Sequence, residues 1–157
     1  MSFWLYINIL LFLAVITMLD YPYTQLPLHI IFGLAGLFLV LFNWTRHAVF
    51  STIRQSKDRK KKIKLANLSK RIYPFHRWVG STAFLIIIVH AWLIISKYGF
   101  LATSWKMLSG IAAGVILLAM VATGWLRLYW PSGNRRRAHL YIGFLLFFFV
   151  VLHTLIF

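Results

Sequence analysis

Two histidine-bearing segments of the chain share one pattern, and their spacing suits metal ligation. His76 and His90 bound the pattern H-x3-G-x9-H, and His139 and His153 bound the same pattern 63 residues later. Fourteen residues of α-helix rise about 21 Å and fall about 40° short of four full turns. Each segment therefore presents two histidines on nearly one face, near opposite ends of a membrane-length helix. Two such helices side by side would hold two stacked metal centres, each with one histidine from either helix.

The composition is that of an integral membrane protein. Of 157 residues, 61% are hydrophobic, and 17 Lys and Arg stand against two acids, Asp20 and Asp58. Most basic residues lie between apolar runs, which favours membrane orientation and anionic-lipid contact over nucleic-acid binding. The absence of cysteine excludes disulfides, iron–sulfur clusters and haem held covalently or by thiolate. Any haem would be bound non-covalently by histidine.

Five apolar segments are predicted to cross the membrane, at about 3–19, 28–50, 75–96, 107–130 and 138–157. We expect them to form one all-α membrane domain over residues 1–157, with Pro74 in the first turn of the third span. A basic cytoplasmic loop at 51–74 has two open interpretations, an amphipathic helix on the lipid headgroups or a solvated loop that sets orientation. A docking surface for an acidic cytosolic partner is a third.

The positions of Lys and Arg predict one topology. The long basic loop and the arginines at 135–137 would be cytoplasmic, with the N-terminus inside and the C-terminus outside. The third and fifth spans then run in the same direction. His76 and His139 share the inner level and His90 and His153 the outer level, in agreement with their spacing.

Imidazole inside a membrane span is costly, rare and usually functional, so the four histidines are predicted to ligate two b-type haems between the third and fifth helices. Structural or proton-carrying histidines are the alternative. Gly80 and Gly143 each follow an inner histidine by one turn, on the same face, where a side chain would crowd a porphyrin. Ordinary helix packing is the other reading of either glycine alone.

Other polar residues of the spans are candidates for secondary roles. Arg46, Arg77 and Arg127 lie near the inner level, where they would pair with haem propionates or extend to lipid phosphates. His29 and His47 are 18 residues apart and miss the ligand spacing. Proton handling, a propionate contact or a simple interfacial position remain open for these two histidines.

The segment H-R-W-V-G-x9-H at His76 and the segment R-R-x-A-H-x3-G-x9-H around His139 resemble the ferric reductase-like transmembrane domain superfamily. That superfamily includes ferric-chelate reductases, NADPH oxidases and the haem-bearing membrane subunit of the methionine sulfoxide reductase system. The resemblance covers the second span onward. It implies two bis-histidine haem b groups, an electron path across a bacterial inner (plasma) membrane, and the haem-bearing part of an oxidoreductase.

The resemblance has departures that bear on partners. Family members commonly add a sixth span and a flavin- and nicotinamide-binding domain, and this sequence contains no nucleotide fingerprint. Electrons are therefore expected from a separate donor protein or from quinol, with any flavin or quinone held by a partner. The outer acceptor would be a ferric chelate, oxygen or a periplasmic protein. A quinol-linked cytochrome b subunit and a haem-free transporter or assembly factor are the alternative functions.

Overall fold

The computed structural model describes residues 3–19 and 25–155, and within them the fold is built from α-helices alone. Asp20 and the last two residues of the predicted fifth span lie outside the described residues. The five helices are α1 (Phe3–Thr17), α2 (Leu28–Gln55), α3 (Arg59–Tyr98), α4 (Trp105–Tyr129) and α5 (Gly133–Leu155).

Four of the five helices are long and apolar enough to cross a membrane, and they are α2, α3, α4 and α5. Many of their large apolar side chains face outward, among them Leu85 at 61% and Trp92 at 64% exposure. Such a surface requires lipid, because soluble proteins rarely expose extended apolar faces. The chain is therefore an all-helical protein whose long helices suit a membrane bundle.

The first predicted span is the short member of the bundle. α1 has 15 residues, or about 22 Å of rise, which is less than the roughly 30 Å of a bilayer core. It packs on α2 and α5, where Asn8 Nδ2 donates to the carbonyl of Leu41 at 3.3 Å. Leu11, Leu37 and Leu41 form a small buried core beside this hydrogen bond. Of the five segments predicted to be long enough to cross, four have that length as described helices.

Most of the basic segment at 51–74 is helical, so of its two open interpretations the solvated loop does not describe it. α2 continues to Gln55, and after the turn at 56–58 the helix α3 begins at Arg59. α3 is 40 residues long and contains Pro74 in its interior, where the sequence predicted the start of a helix. Proline removes one backbone hydrogen bond there. Packing against α2 on both sides of the proline maintains the helix.

α2 and α3 form an antiparallel hairpin whose register is kept along its length. Gly33 of α2 lies against His90 of α3, and further along the hairpin the guanidinium of Arg46 lies 4.9 Å from the ring centroid of Tyr73. Beyond Pro74 the contact continues, since the buried Ser69 lines a groove with residues of α2. α3 therefore follows α2 beyond the proline and does not turn away from it.

Asp58 determines where α3 begins. Its carboxylate accepts hydrogen bonds from the backbone N–H groups of Lys60 at 2.8 Å and Lys61 at 3.4 Å. A side-chain acceptor of this kind satisfies the free N–H groups of a first helical turn. The cap lets the basic run after Asp58 start a helix although its like charges repel one another.

The packing order leaves a space between the two histidine-bearing helices. α2 packs along α3 and α4 packs along α5, with further contacts between α3 and α4, between α1 and α2, and between α1 and α5. In the described chain α3 and α5 are not among the closely packed pairs. Side chains must therefore bridge these two helices, and the histidines do so.

Candidate functional site: two facing histidine pairs

The four repeated histidines meet as two pairs, each with one member from α3 and one from α5. The ring centroids of His76 and His139 are 6.3 Å apart, and those of His90 and His153 are 6.5 Å apart. The two rings of each pair are nearly perpendicular, at 79° and 77°. The pairing across the helices is the one that the sequence spacing led us to expect.

The separation of the rings suits an ion held between them. With metal–nitrogen bonds of about 2 Å on both sides, two imidazole centroids lie roughly 6.3 Å apart. An edge-to-face aromatic contact also covers this range, since ring pairs favour about 4.5–7 Å. Distance alone does not separate the two cases. The hydrogen bonds of the ring nitrogens are a second observation on the same rings.

In the outer pair, Nδ1 of each histidine donates to a backbone carbonyl. His90 Nδ1 lies 2.7 Å from the carbonyl oxygen of His29, and His153 Nδ1 lies 3.0 Å from that of Lys106. A carbonyl can only accept, so both Nδ1 atoms carry the proton. The Ser109 hydroxyl donates to the same Lys106 carbonyl and lies 3.3 Å from His153 Nδ1. Nε2 of both rings is then the unprotonated nitrogen.

The same assignment holds for His139 in the inner pair. Its Nδ1 lies 3.0 Å from Thr123 Oγ1, which gives its own proton to the carbonyls of Ala119 and Met120. Thr123 Oγ1 therefore accepts from His139 Nδ1–H, and Nε2 is again unprotonated. His76 differs, because its buried Nδ1 has no hydrogen-bond partner among the described residues.

Nε2 of the four histidines makes no hydrogen bond within residues 3–19 and 25–155. An imidazole whose Nδ1–H is fixed by an acceptor and whose Nε2 is free has the arrangement of a metal-bound histidine. Three of the four rings have this arrangement. Aromatic contact by itself would not require it.

Glycines of α2 and α4 make room for the outer rings. A Cβ added at Gly33 would lie 3.0 Å from His90 Cε1, and one at Gly110 would lie 2.8 Å from His153 Cε1. Real Cβ atoms rarely or never come so close, so only glycine accepts the rings as placed. The neighbours of these two glycines are the candidate ligands.

α4 repeats a small motif at the spacing of the histidines it faces. Ser109-Gly110 and Thr123-Gly124 are 14 residues apart, as are His139 and His153 on the antiparallel α5. Each hydroxyl lies at hydrogen-bond distance from the Nδ1 of one histidine. Each glycine faces the Cε1 of the same ring, and a Cβ added at Gly124 would lie 3.4 Å from His139 Cε1.

The spacing of the histidines gives no indication of this repeat on α4. The signal was present as a hydroxyl-glycine dipeptide that recurs after 14 residues. Only the pairing of α4 with α5 gives that recurrence a meaning, because it places one dipeptide beside each histidine.

The inner pair borders a cavity between the helices. Its empty space is about 660 Å³, part of it open to the surroundings, and His76 and His139 are both in its wall. Gly80 and Gly143 line it as well. A Cβ at Gly143 would meet Met120 at 3.2 Å, so this glycine also allows α5 to approach α4.

Nitrogen atoms without acceptors surround the inner cavity. In the described chain Trp44 Nε1, Arg46 Nε, Arg77 Nε and His76 Nδ1 are buried and have no hydrogen-bond partner. Buried donors are normally satisfied, and each orphan is costly. Three of the four side chains line the cavity, and Arg46 lines the adjoining groove. The arrangement suits an anionic or acceptor-bearing group.

The predicted arginines lie at this level of the molecule. The Arg77 guanidinium lies 5.4 Å from the ring centroid of Trp125, and Arg46 lies over Tyr73. Arg127 is near enough to His76 and His139 to interact with both electrostatically. All three cations therefore surround one end of the bundle near the inner pair.

The two remaining histidines have different surroundings. The buried His29 supplies its carbonyl to His90, and its ring meets Tyr98 edge-on at 5.8 Å. His47 stacks on Trp44 at 5.2 Å and contacts Phe144. His29 thus supports the outer pair through its backbone, whereas His47 belongs to an aromatic cluster beside the inner cavity.

A comparison with protein families, with characterised proteins and with solved structures finds no match to this chain. Functional inference therefore depends on the residues and the geometry described above.

Proposed function

We propose that this chain is a dihaem b-type membrane protein that transfers electrons across the bilayer. The main supporting observation is the pairing of His76 with His139 and of His90 with His153. The ring centroids of each pair are separated by the distance expected for two imidazoles that would hold one iron atom. The free Nε2 atoms, the hydroxyl-glycine repeat of α4 and the cavity at the inner pair support it. Each pair would hold one haem through its Nε2 atoms.

A haem with two axial imidazoles supplies one-electron transfer without an open coordination site. The chain's own residues prepare this chemistry. Acceptors at Nδ1 fix the tautomer and orientation of three rings and raise the basicity of the ligand nitrogen. The apolar lengths of α3 and α5 between their histidines exclude water from both pairs. The 14-residue spacing separates the two levels by about 21 Å along each helix.

The orphaned donors at the inner level would bind the carboxylates of a haem. Trp44, Arg46 and Arg77 supply buried N–H groups without partners, and Arg127 adds a further positive charge nearby. Charge-assisted hydrogen bonds of this type are about twice as strong as neutral ones. A propionate-bearing group would satisfy donors that the protein alone leaves unpaired, which supports haem at this level.

The direction of transfer follows from charge. The basic end of the bundle, which contains His76 and His139, would face the cytoplasm by the positive-inside rule, with electrons entering there from a separate protein or from quinol. Electrons would leave at the His90/His153 level. Lys97 and Lys106 lie near that end and favour an anionic acceptor such as a ferric chelate. On this proposal the chain is the haem-bearing membrane component of a ferric reductase-like oxidoreductase in a bacterial inner membrane.

A reduced-minus-oxidised visible spectrum of the purified protein, with a pyridine haemochrome count, tests the proposal. We expect sharp b-type bands and about two haems per chain. His76→Ala or His139→Ala should remove one low-spin centre, and His90→Ala or His153→Ala the other. A colourless protein that takes up no added haemin would refute the proposal and favour a haem-free transporter or assembly factor. Full haem content in all four variants would refute the pairing.

A further inference from the structure

The hairpin of α2 and α3 extends well beyond the rest of the bundle at its basic end. We define the basic arm as residues 51–71, which include the end of α2, the turn at 56–58 and the first part of α3. From His76 back to Arg59 the helix rises about 25 Å, whereas from His139 back to Arg135 it rises only about 6 Å. α5 starts at Gly133, about 9 Å of rise before His139, so the arm projects about 16 Å further than the start of α5.

The level of the membrane surface can be located from the other helices. Arg127 and Trp130 lie at the end of α4, and the arginines at 135–137 lie at the start of α5. Tryptophan and basic residues concentrate at the headgroup level. On α3 the same level falls near Tyr73, which Arg46 contacts from α2. Everything in the arm is beyond this level.

The arm carries positive charge almost alone. Its nine basic residues are all exposed: Arg54, Lys57, Arg59, Lys60, Lys61, Lys62, Lys64, Lys70 and Arg71. Its single acid, Asp58, is engaged in capping α3. The described residues offer none of the nine an ion-pair partner. Like charges held together on a folded helix indicate a negatively charged partner.

The charge surrounds α3 at the far end of the arm. Arg59, Lys60, Lys61 and Lys62 are consecutive on the helix, so they point to all of its sides, and all four are exposed. Nearer the membrane, Ser69 is buried on the side that packs against α2, and Leu68 lines the groove with α2 there. The far end therefore presents positive charge to its surroundings, whereas the near end packs against α2.

Lipid headgroups are too distant to be the main partner of the arm's far end. The headgroup layer adds roughly 5–8 Å to each side of the bilayer core. Surface charge acts over a Debye length of about 8 Å at physiological salt. Lys60, Lys61 and Lys62 lie roughly 16–20 Å beyond the Tyr73 level by helix rise. A helix lying on the headgroups would need α3 to leave α2, and it does not.

We propose that the basic arm is the docking surface for an acidic soluble protein. Its far end presents charge of one sign on a rigid two-helix support, which suits electrostatic steering of a partner of opposite sign. The surface is at the same end of the molecule as the His76/His139 pair. Identifying the docked protein as an electron donor would rest on the proposed function; the docking itself does not.

Binding of an acidic protein to the chain in nanodiscs tests the proposal independently of haem. The probe is flavodoxin, a small acidic protein, and the nanodiscs contain phosphatidylcholine only. We expect salt-sensitive binding that weakens about tenfold or more when Lys60→Gln, Lys61→Gln and Lys62→Gln are combined. Glutamine keeps the helix, since its helix propensity is close to that of lysine.

The matched control removes the same number of charges at the membrane level, with glutamine at 135, 136 and 137. This control should bind flavodoxin within about twofold of the parent protein, because its charges lie near the headgroups and outside the docking surface. Equal loss in both variants would overturn the proposal, since it would show a general charge effect. Failure of the parent protein to bind flavodoxin at low salt would overturn it too.

The lipid alternative has its own measurement. The sequence has no cysteine, so a spin label at Lys61→Cys or Arg136→Cys is unique. We expect the label at 61 to contact aqueous quenchers and the label at 136 to contact lipid-soluble ones. Equal headgroup depth for both labels in phosphatidylglycerol-containing nanodiscs would show that the arm lies on the membrane and would overturn the docking proposal.

Discussion

At the scale of residues, the most informative atoms are the Nδ1 nitrogens of the paired histidines, which are opposite the candidate ligand atoms Nε2. Imidazoles at 6.3 Å would be compatible with simple aromatic contact. Acceptors at Nδ1 of His90, His139 and His153 show that the opposite nitrogen is prepared for another partner. The hydroxyl of Thr123 is the clearest case, because its proton is committed to backbone carbonyls.

Substitution of Thr123 tests this nitrogen assignment. Thr123→Val keeps the shape of the side chain and removes the acceptor of His139 Nδ1–H. We expect haem affinity at the inner pair to fall about 10- to 100-fold, the usual effect of losing such a partner. Haemin titration of the apoprotein measures it. Thr123→Ser keeps the acceptor and should bind as the parent does; equal affinity in all three proteins would contradict the assignment.

Two glycines of α4 give a second test at residue scale. Gly110→Ala places a Cβ 2.8 Å from His153 Cε1, whereas Gly114→Ala meets nothing within 4 Å. Alanine favours helix over glycine by about 1 kcal/mol, so propensity alone would stabilise both variants. We expect Gly110→Ala to lose the outer haem by displacing His153, and Gly114→Ala to keep two haems.

A pyridine haemochrome count distinguishes these outcomes, with electron paramagnetic resonance to identify the surviving low-spin centre. Two haems in Gly110→Ala would mean that the ring tolerates the methyl group and that Gly110 only serves helix packing. Loss in both variants would point to α4 geometry in general.

At the scale of elements, sequence patterning predicted the apolar helices well and their ends poorly. Hydropathy placed the later spans within a few residues of α4 and α5, because lipid demands long apolar runs. It left the segment from Arg59 to Ile72 open between a helix and a solvated loop. Charge repulsion and Pro74 both argue locally against helix there, and contact with α2 overrides them.

The candidate site was also predictable in part, because some of its features are local to one helix and others depend on contacts between helices. The 14-residue spacing of the histidines is a local property of two helices, and it anticipated which rings meet. The supporting atoms belong to other helices. That Gly33 faces His90 and that Thr123 faces His139 depends on the register of α2 with α3 and of α4 with α5, which a single sequence does not specify.

Substitution of Asp58 tests what sets the start of α3. Asp58→Ala removes the acceptor for the Lys60 and Lys61 N–H groups, a cap worth about 1 kcal/mol. We expect faster amide hydrogen exchange in the first two turns of α3, by roughly fivefold for such a loss. Asp58→Asn retains a capping oxygen and should exchange nearly as the parent does. Unchanged exchange in Asp58→Ala would mean that contact with α2 alone sets the helix start.

At the scale of the whole molecule, the described bundle is two helix pairs that meet where α3 packs on α4. α2 packs with α3 and α4 packs with α5, while the histidine-bearing α3 and α5 do not pack closely on each other. The cavity at the inner pair lies between them, with polar donors left unpaired at its edge. A group filling that space would connect the two halves, so ligand binding and bundle stability should be coupled.

This coupling predicts that haemin raises the thermal stability of the apoprotein in detergent. A ligand at 100 times its Kd stabilises the folded state by about 2.7 kcal/mol per site, so the melting temperature should climb with haemin concentration. Combined alanine substitution of His76, His90, His139 and His153 should abolish that dependence, because the groups that bridge α3 and α5 are then gone.

The metal requirement separates ligation from simple filling of the cavity. Protoporphyrin without iron has the same shape and carboxylates, and it would contact Arg46 and Arg77 without engaging Nε2. If ligation by both helices joins the two halves, protoporphyrin should raise the melting temperature far less than haemin. Equal stabilisation by the two compounds would mean that the cavity walls and the arginines hold the bundle together, and the histidine pairs would then need another role.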